Sequence, residues 1–194
     1  MQPQINLLSQ HETKKILAAL KENYGISSFP KNSKLAMRGK EKIYLFTGNI
    51  DEKQIKKIES ITPIEGTGIY FAKLDDKNNI RLTIEGTQLF QNQITKNIVE
   101  LNSASQVEEW MMGRELLWED LIDNSRTTNK TSNTIGWDEI SGGTPNKSEK
   151  LGALIKPKGF VVIKFKNDFL GCGKASAEKI TNFIPKSRRL KERS

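Results

Sequence analysis

The one cysteine and the one histidine of this 194-residue chain are candidates for a nucleophile and a general base, and each has a plainer interpretation. The one cysteine, Cys172, would become nucleophilic if Lys174 lowered its pKa. Strand alternation places it on the same face as Leu170, which favours a small core residue. The one histidine, His11, falls in the first turn of a predicted helix, where a surface position is favoured over a general base. We therefore predict that the chain is not an enzyme.

The sequence also argues against a bound metal ion or nucleotide cofactor. One cysteine and one histidine are too few for a structural zinc site, so no metal is predicted. The sequence 171–174 is too short for a phosphate-binding glycine loop of the strand–turn–helix kind. We predict no cofactor.

Positive charge is concentrated at the end of the chain. The formal net charge is +8, and residues 156–194 alone hold eleven Lys or Arg against three Asp or Glu. Residues 99–155 hold five basic and ten acidic residues, so the middle of the chain is acidic. A basic segment of this density is typical of a polyanion binder. The alternative, a solvated lysine-rich surface that aids solubility, remains open on charge alone.

Residues in this basic segment are the candidate nucleic-acid contacts. Lys and Arg would neutralise phosphates and release condensed counterions. An asparagine amide can donate to and accept from a base edge or a ribose hydroxyl. Gly171 and Gly173 either relieve a bend in the sheet or let an RNA backbone approach closely. The predicted RNA-binding residues are Lys174, Lys179, Asn182, Lys186, Arg188 and Arg189.

Secondary-structure signals in the first third indicate a small α/β unit over residues 1–65. Ser9 with Glu12 forms a capping box for a helix that Gly25 would end. Residues 43–47 read as a strand, and Asp51 with Gln54 caps a second helix.

Residues 66–194 are predicted to form a second unit built mainly of short strands. Residues 68–74 and 80–84 read as a hairpin, and 98–101 as a third strand. Ser105 with Glu108 would cap a helix. Its predicted buried face consists of Val107, Trp110, Met111 and Leu117.

Two further strands at 159–166 and 169–174 complete the second unit. The absence of a repeating βα pattern favours a small mixed barrel over a doubly wound sheet. The predicted fold class is therefore α+β.

The segment 123–150 is rich in Asn, Ser, Thr, Gly and Lys, and we predict that it is a mobile insertion. Trp137 in its middle either anchors a partner or, as we favour, packs onto its own domain.

The C-terminal residues resemble a known RNA-binding domain. The segment 169–174, then Asn182, Pro185-Lys186 and Arg188-Arg189, resembles the end of the PUA-like domain of Sun/Fmu-type rRNA cytosine methyltransferases. Cys172 stands where that family has Trp, Thr181 where it has Lys, and Ile184 where an aromatic residue is usual. The similarity covers roughly residues 66–192, without the insertion. The chain also resembles stand-alone archaeal-type proteins in which a pre-PUA unit precedes this domain.

This resemblance implies the RNA-binding domain of the methyltransferases without their catalytic domain. The family's cofactor-binding domain and its two catalytic cysteines have no counterpart in this sequence. We therefore expect a cytoplasmic, non-catalytic protein that binds structured rRNA or tRNA in ribosome biogenesis or RNA modification. The alternative is an adaptor whose basic end docks an acidic protein, as the accessory subunit of an RNA-modifying enzyme. No membrane association is expected.

Overall fold

The computed structural model describes residues 4–123 and 157–191, a mixture of short helices and two five-stranded sheets. The first sheet is antiparallel throughout, and its strands follow chain order: β1 (Ile5–Leu7), β2 (Ser33–Arg38), β3 (Lys42–Thr47), β4 (Ile69–Leu74) and β5 (Ile80–Leu82). The second sheet has the order β6 (Ile98–Glu100), β8 (Gly159–Phe165), β9 (Asp168–Ala175), β10 (Lys179–Asn182) and β7 (Leu116–Leu117). Of the helices in the described ranges, none has the length and apolar character needed to cross a membrane.

Two predicted helix caps are confirmed. Ser9 and Glu12 exchange hydrogen bonds at the start of α1 (Gln10–Tyr24), which ends at Gly25 with φ of 84°. Asp51 and Gln54 do the same at the start of α2 (Glu52–Glu59). The remaining helical segments are α3 (Ile84–Leu89), α4 (Ala104–Met111), α5 (Trp118–Asp123) and a 3-10 turn (Lys186–Arg188).

The start of α4 differs from the prediction. Its N-cap is Ser103, whose side chain accepts from the amide of Gln106, so the Ser105–Glu108 capping box is wrong. Trp110 is buried as predicted, but Leu117 is 39% exposed. Leu117 lies in β7, beyond the end of α4 and beyond Gly113 with φ of 89°, so helical periodicity does not apply to it.

The first sheet continues across the predicted boundary between residues 1–65 and 66–194. Strand β4 pairs with β3, so the boundary falls between two neighbouring strands of one sheet. One buried cluster joins Tyr24 of α1, Phe71 of β4 and Cys172 of β9. Hydrogen bonding and core packing therefore do not separate the two units at that point. The predicted insertion 123–150 lies outside the described residues except at Asp123, and so does Trp137.

The second sheet is packed on both faces. Val162 and Cys172 face the first sheet and α1, whereas Val161, Ile163 and Ile180 pack with Trp110 of α4. The strand β10, which the sequence did not predict, pairs with β9. It leads into residues 183–191, which we call the basic tail.

Candidate nucleic-acid interface

The predicted cations lie on β9, β10 and the tail that follows. Lys174 on β9 is directly opposite Thr181 on β10, because the two strands are antiparallel neighbours. Lys186 and Arg188 lie in the 3-10 turn, and Arg189 follows it. The structure gives these residues different environments.

Two of the cations already have carboxylate partners. The Lys179 ammonium lies 2.6 Å from Glu115, and the Arg188 guanidinium lies 2.7 Å from Glu85. The hydrogen bond from Lys179 lowers the pKa of Glu115, and the same bond raises the pKa of Lys179. Both pairs are exposed, so each contributes little to stability and can exchange partners with a phosphate.

Arg189 anchors the tail instead of projecting into solvent. Its Nε donates to the Ile184 carbonyl at 3.0 Å, and the Leu190 amide donates to the Met111 carbonyl at 3.0 Å. The Arg189 side chain also covers Gly113, where an added Cβ would overlap it. Replacing Arg189 would therefore change the course of the tail as well as its charge.

The structure gives the Asn182 amide a role inside the fold. Its Nδ2 donates to the carbonyls of Trp110 at 2.7 Å and Arg114 at 3.0 Å, and its Oδ1 accepts from the Ile184 amide at 2.7 Å. The residue is only 9% exposed. These contacts favour a structural role for Asn182 over the reading of a base edge, because its amide nitrogen and its amide oxygen are engaged with backbone. The bond from Oδ1 to the amide two residues on is an Asx turn, a local pattern common for asparagine.

Arg189 makes no ion pair within the described residues, but its Nε is engaged with the Ile184 carbonyl. Lys174 and Lys186 make no ion pair within those residues either. Both side chains are exposed. The Lys174 ammonium lies 5.6 Å from the centroid of the Phe160 ring, within the range of a cation–π contact. These two lysines are therefore the most available phosphate ligands of the predicted set.

A row of stacked side chains extends from Lys174 across the surface. Phe160 of β8 meets Phe183 edge-to-face, with ring centroids 5.9 Å apart and an interplanar angle of 66°. The Arg81 guanidinium lies over the Phe183 ring at 4.3 Å. We call Arg81, Phe183, Phe160 and Lys174 the stacking row. Sequence reasoning missed Arg81 and Phe160, because β5 and β8 are distant in the chain and meet only in the folded protein.

A cavity of about 200 Å³ opens beside the stacking row. It lies between β5 and α3 on one side and the end of β10 with the 3-10 turn on the other. Its lining includes Tyr70, Arg81, Phe183, Ser187 and Arg188. Burial raises the pKa of Tyr70, and the charge of Arg81 opposes this shift, so the phenol is neutral at physiological pH.

Cys172 and its flanking glycines have structural explanations. Cys172 is 3% exposed, and burial raises the pKa of its thiol to about 12, so the prediction of a core cysteine is confirmed. Gly173 packs under Ile180 and Trp110, and Gly171 has a φ of 95° against Ile84. These contacts support the bend in the sheet over the close approach of RNA. Among the described residues, no group of three or more His, Cys, Asp and Glu is placed to hold a metal.

Comparison with known families matches only the C-terminal part of the chain. Residues 141–190 match a family model described as the methyltransferase RsmF PUA domain. The match begins within the predicted insertion and ends beside the basic tail, so residues 157–190 are its structurally described part. No curated protein matches the chain. The match supports a PUA-like domain related to that of the Sun/Fmu methyltransferases, a type of domain that suggests RNA binding, and it does not extend to their catalytic domain.

Proposed function

We propose that this protein is a non-catalytic RNA-binding protein that recognises structured rRNA or tRNA, in ribosome biogenesis or RNA modification. The observation that carries the proposal is the stacking row, of which Phe160, Lys174 and Phe183 lie in the segment that matches a PUA domain. Cytoplasmic location and kinship with stand-alone archaeal-type proteins remain predictions.

The stacking row combines the two kinds of contact that RNA offers. Exposed lysines neutralise phosphates whatever the sequence. Partly exposed aromatic rings and arginine planes stack on unpaired bases, which are more frequent in folded RNA than in regular duplexes. Phe160 and Phe183 are partly exposed, and cations lie at both ends of the pair. Such a surface favours RNA with loops or bulges over plain duplex.

A second candidate is an adaptor that docks an acidic protein. The ion pairs Lys179–Glu115 and Arg188–Glu85 favour it, because both cations hold carboxylates at this surface. The adaptor would use the same basic face but would have no need of the stacked aromatic rings. RNA binding and its salt dependence therefore separate the two candidates.

The test is a pair of double variants with equal loss of charge. Lys174→Ala with Lys186→Ala removes two exposed lysines of the predicted set that make no ion pair within the described residues. Lys53→Ala with Lys57→Ala, on the exposed face of α2, is the control. The affinity for a folded tRNA or an rRNA hairpin is measured over a range of salt concentrations, with circular dichroism to verify the fold.

If both lysines contact phosphates, the slope of log K against log salt falls by roughly 0.7–0.9 for each lost contact. The control keeps the wild-type slope. Equal behaviour of the two double variants in natively folded protein would reject this surface as the RNA interface and favour the adaptor.

A further inference from the structure

We infer that the cavity beside the stacking row receives one unpaired nucleotide of the bound RNA. The inference rests on the proposed function and deepens it, because it names the element of RNA structure that the protein selects. Its ligand is a base extruded from a bulge or loop.

The size of the cavity limits what it can hold. At about 200 Å³ it lies below the range of roughly 300–1,000 Å³ typical of pockets for drug-sized ligands. It is nonetheless several times the volume of about 30 Å³ that a water molecule occupies in the liquid. A single nucleobase fits these limits, and a stacked pair of bases does not.

The walls have the chemistry that a nucleobase needs. The Arg81 guanidinium lies over the Phe183 ring, and both groups line the cavity. Arginine planes and aromatic rings are the usual stacking partners of splayed bases. The neutral phenol of Tyr70, also in the lining, can donate to or accept from a base edge.

The charges around the cavity favour an anionic ligand. Arg81 and Arg188 bring two positive charges to the lining, against one carboxylate from Glu85. The Arg188 side chain is 60% exposed and its pair with Glu85 is open to solvent. Arg188 can therefore turn from Glu85 to the phosphate of the inserted nucleotide. A neutral ligand would leave the net positive charge of the lining uncompensated.

The experiment blocks the cavity without changing the charge of the protein. Ser187 is exposed and lines the cavity, so Ser187→Trp fills it. Ser105→Trp, at an exposed position of α4, is the matched control. Phe183→Leu is the second variant, which keeps an apolar side chain but removes the ring.

Three probes distinguish a nucleotide held in a bulge from a paired nucleotide and from a free nucleotide. The first is an RNA hairpin with one bulged 2-aminopurine, and the second is the same hairpin with that base paired. The third is the free 5′-monophosphate of 2-aminopurine riboside. Affinity and 2-aminopurine fluorescence are measured for each, and circular dichroism verifies the fold.

We expect wild type and Ser105→Trp to bind the bulged hairpin about tenfold more tightly than the paired one, a size consistent with one base stacked on protein. Ser187→Trp and Phe183→Leu should reduce the bulged hairpin to the affinity of the paired one. The affinity for the paired hairpin should be the same in wild type, Ser187→Trp and Ser105→Trp.

Equal wild-type affinity for the bulged and paired hairpins would overturn the inference and leave the proposed function standing. Free nucleotide that binds as tightly as the bulged hairpin would also overturn it, since the site would then serve a small molecule. Failure of wild type to bind either hairpin would overturn the proposed function together with the inference.

Discussion

At the scale of single residues, Asn182 shows how a polar side chain in a basic segment can serve the fold. Its amide bridges the end of α4 and the start of the tail through three backbone groups. A buried polar group that loses its partner costs the desolvation of that group, whereas an exposed contact to RNA would cost the fold nothing. The two roles therefore predict different outcomes for the same substitution.

We expect Asn182→Ala to lower the free energy of unfolding by about 1–3 kcal/mol or more, because buried backbone groups lose their partners. Asn182→Asp should be more harmful, since it replaces the Nδ2 donor by an oxygen that faces the Trp110 and Arg114 carbonyls. Urea unfolding measures both. Wild-type stability of Asn182→Ala together with weaker discrimination between RNA and DNA would restore Asn182 as an RNA contact.

At the scale of elements, the tail packs against a glycine that follows α4. Gly113 and Gly159 both have a φ of 89°, a conformation that L side chains rarely adopt. They differ in their surroundings, since Arg189 covers Gly113 and no atom lies within 4 Å of the position of a Cβ on Gly159. Substitutions at these two glycines therefore separate the cost of backbone strain from the cost of disturbing the packing of the tail.

Gly159→Ala should cost about 1–2 kcal/mol, from the left-handed backbone alone. Gly113→Ala should cost about 1 kcal/mol more, because the displaced Arg189 loses its hydrogen bond to the Ile184 carbonyl. Thermal and urea unfolding measure the difference. Equal losses in the two variants would mean that Arg189 moves aside freely and does not anchor the tail.

At the scale of the whole molecule, the two sheets share one core. The buried cluster that includes Tyr24, Phe71, Phe90, Val162 and Cys172 draws from α1, both sheets and α3 with its following turn. A fragment of residues 66–194 would expose the apolar face that α1 and β3 cover. Strand β4 would also lose its pairing with β3 and become an edge strand, which favours aggregation.

We therefore expect the fragment 66–194 to lack a cooperative thermal transition and to bind a hydrophobic dye, whereas the full chain unfolds cooperatively. Calorimetry and dye fluorescence measure this. A cooperative transition in the isolated fragment would support the division at 65/66 that the sequence indicated. The full chain under the same buffer conditions is the control.

The local features of this protein were accessible from its sequence. The caps at Ser9 and Asp51 and the hairpin of β4 and β5 depend on residues close in the chain, so their patterns are visible in the sequence. The positive charge of the C-terminal segment also follows directly from its residue counts. For these features the relevant interactions act within one turn or one strand.

Tertiary structure alone decided which polar groups are available. The pairing of Lys179 with Glu115, the burial of Asn182 and the stack of Arg81 on Phe183 join residues that lie far apart in the chain. The continuity of the first sheet across residue 65 likewise depends on strand pairing. No spacing rule reports such contacts, because strand pairing and packing of the core bring them about only when the chain folds.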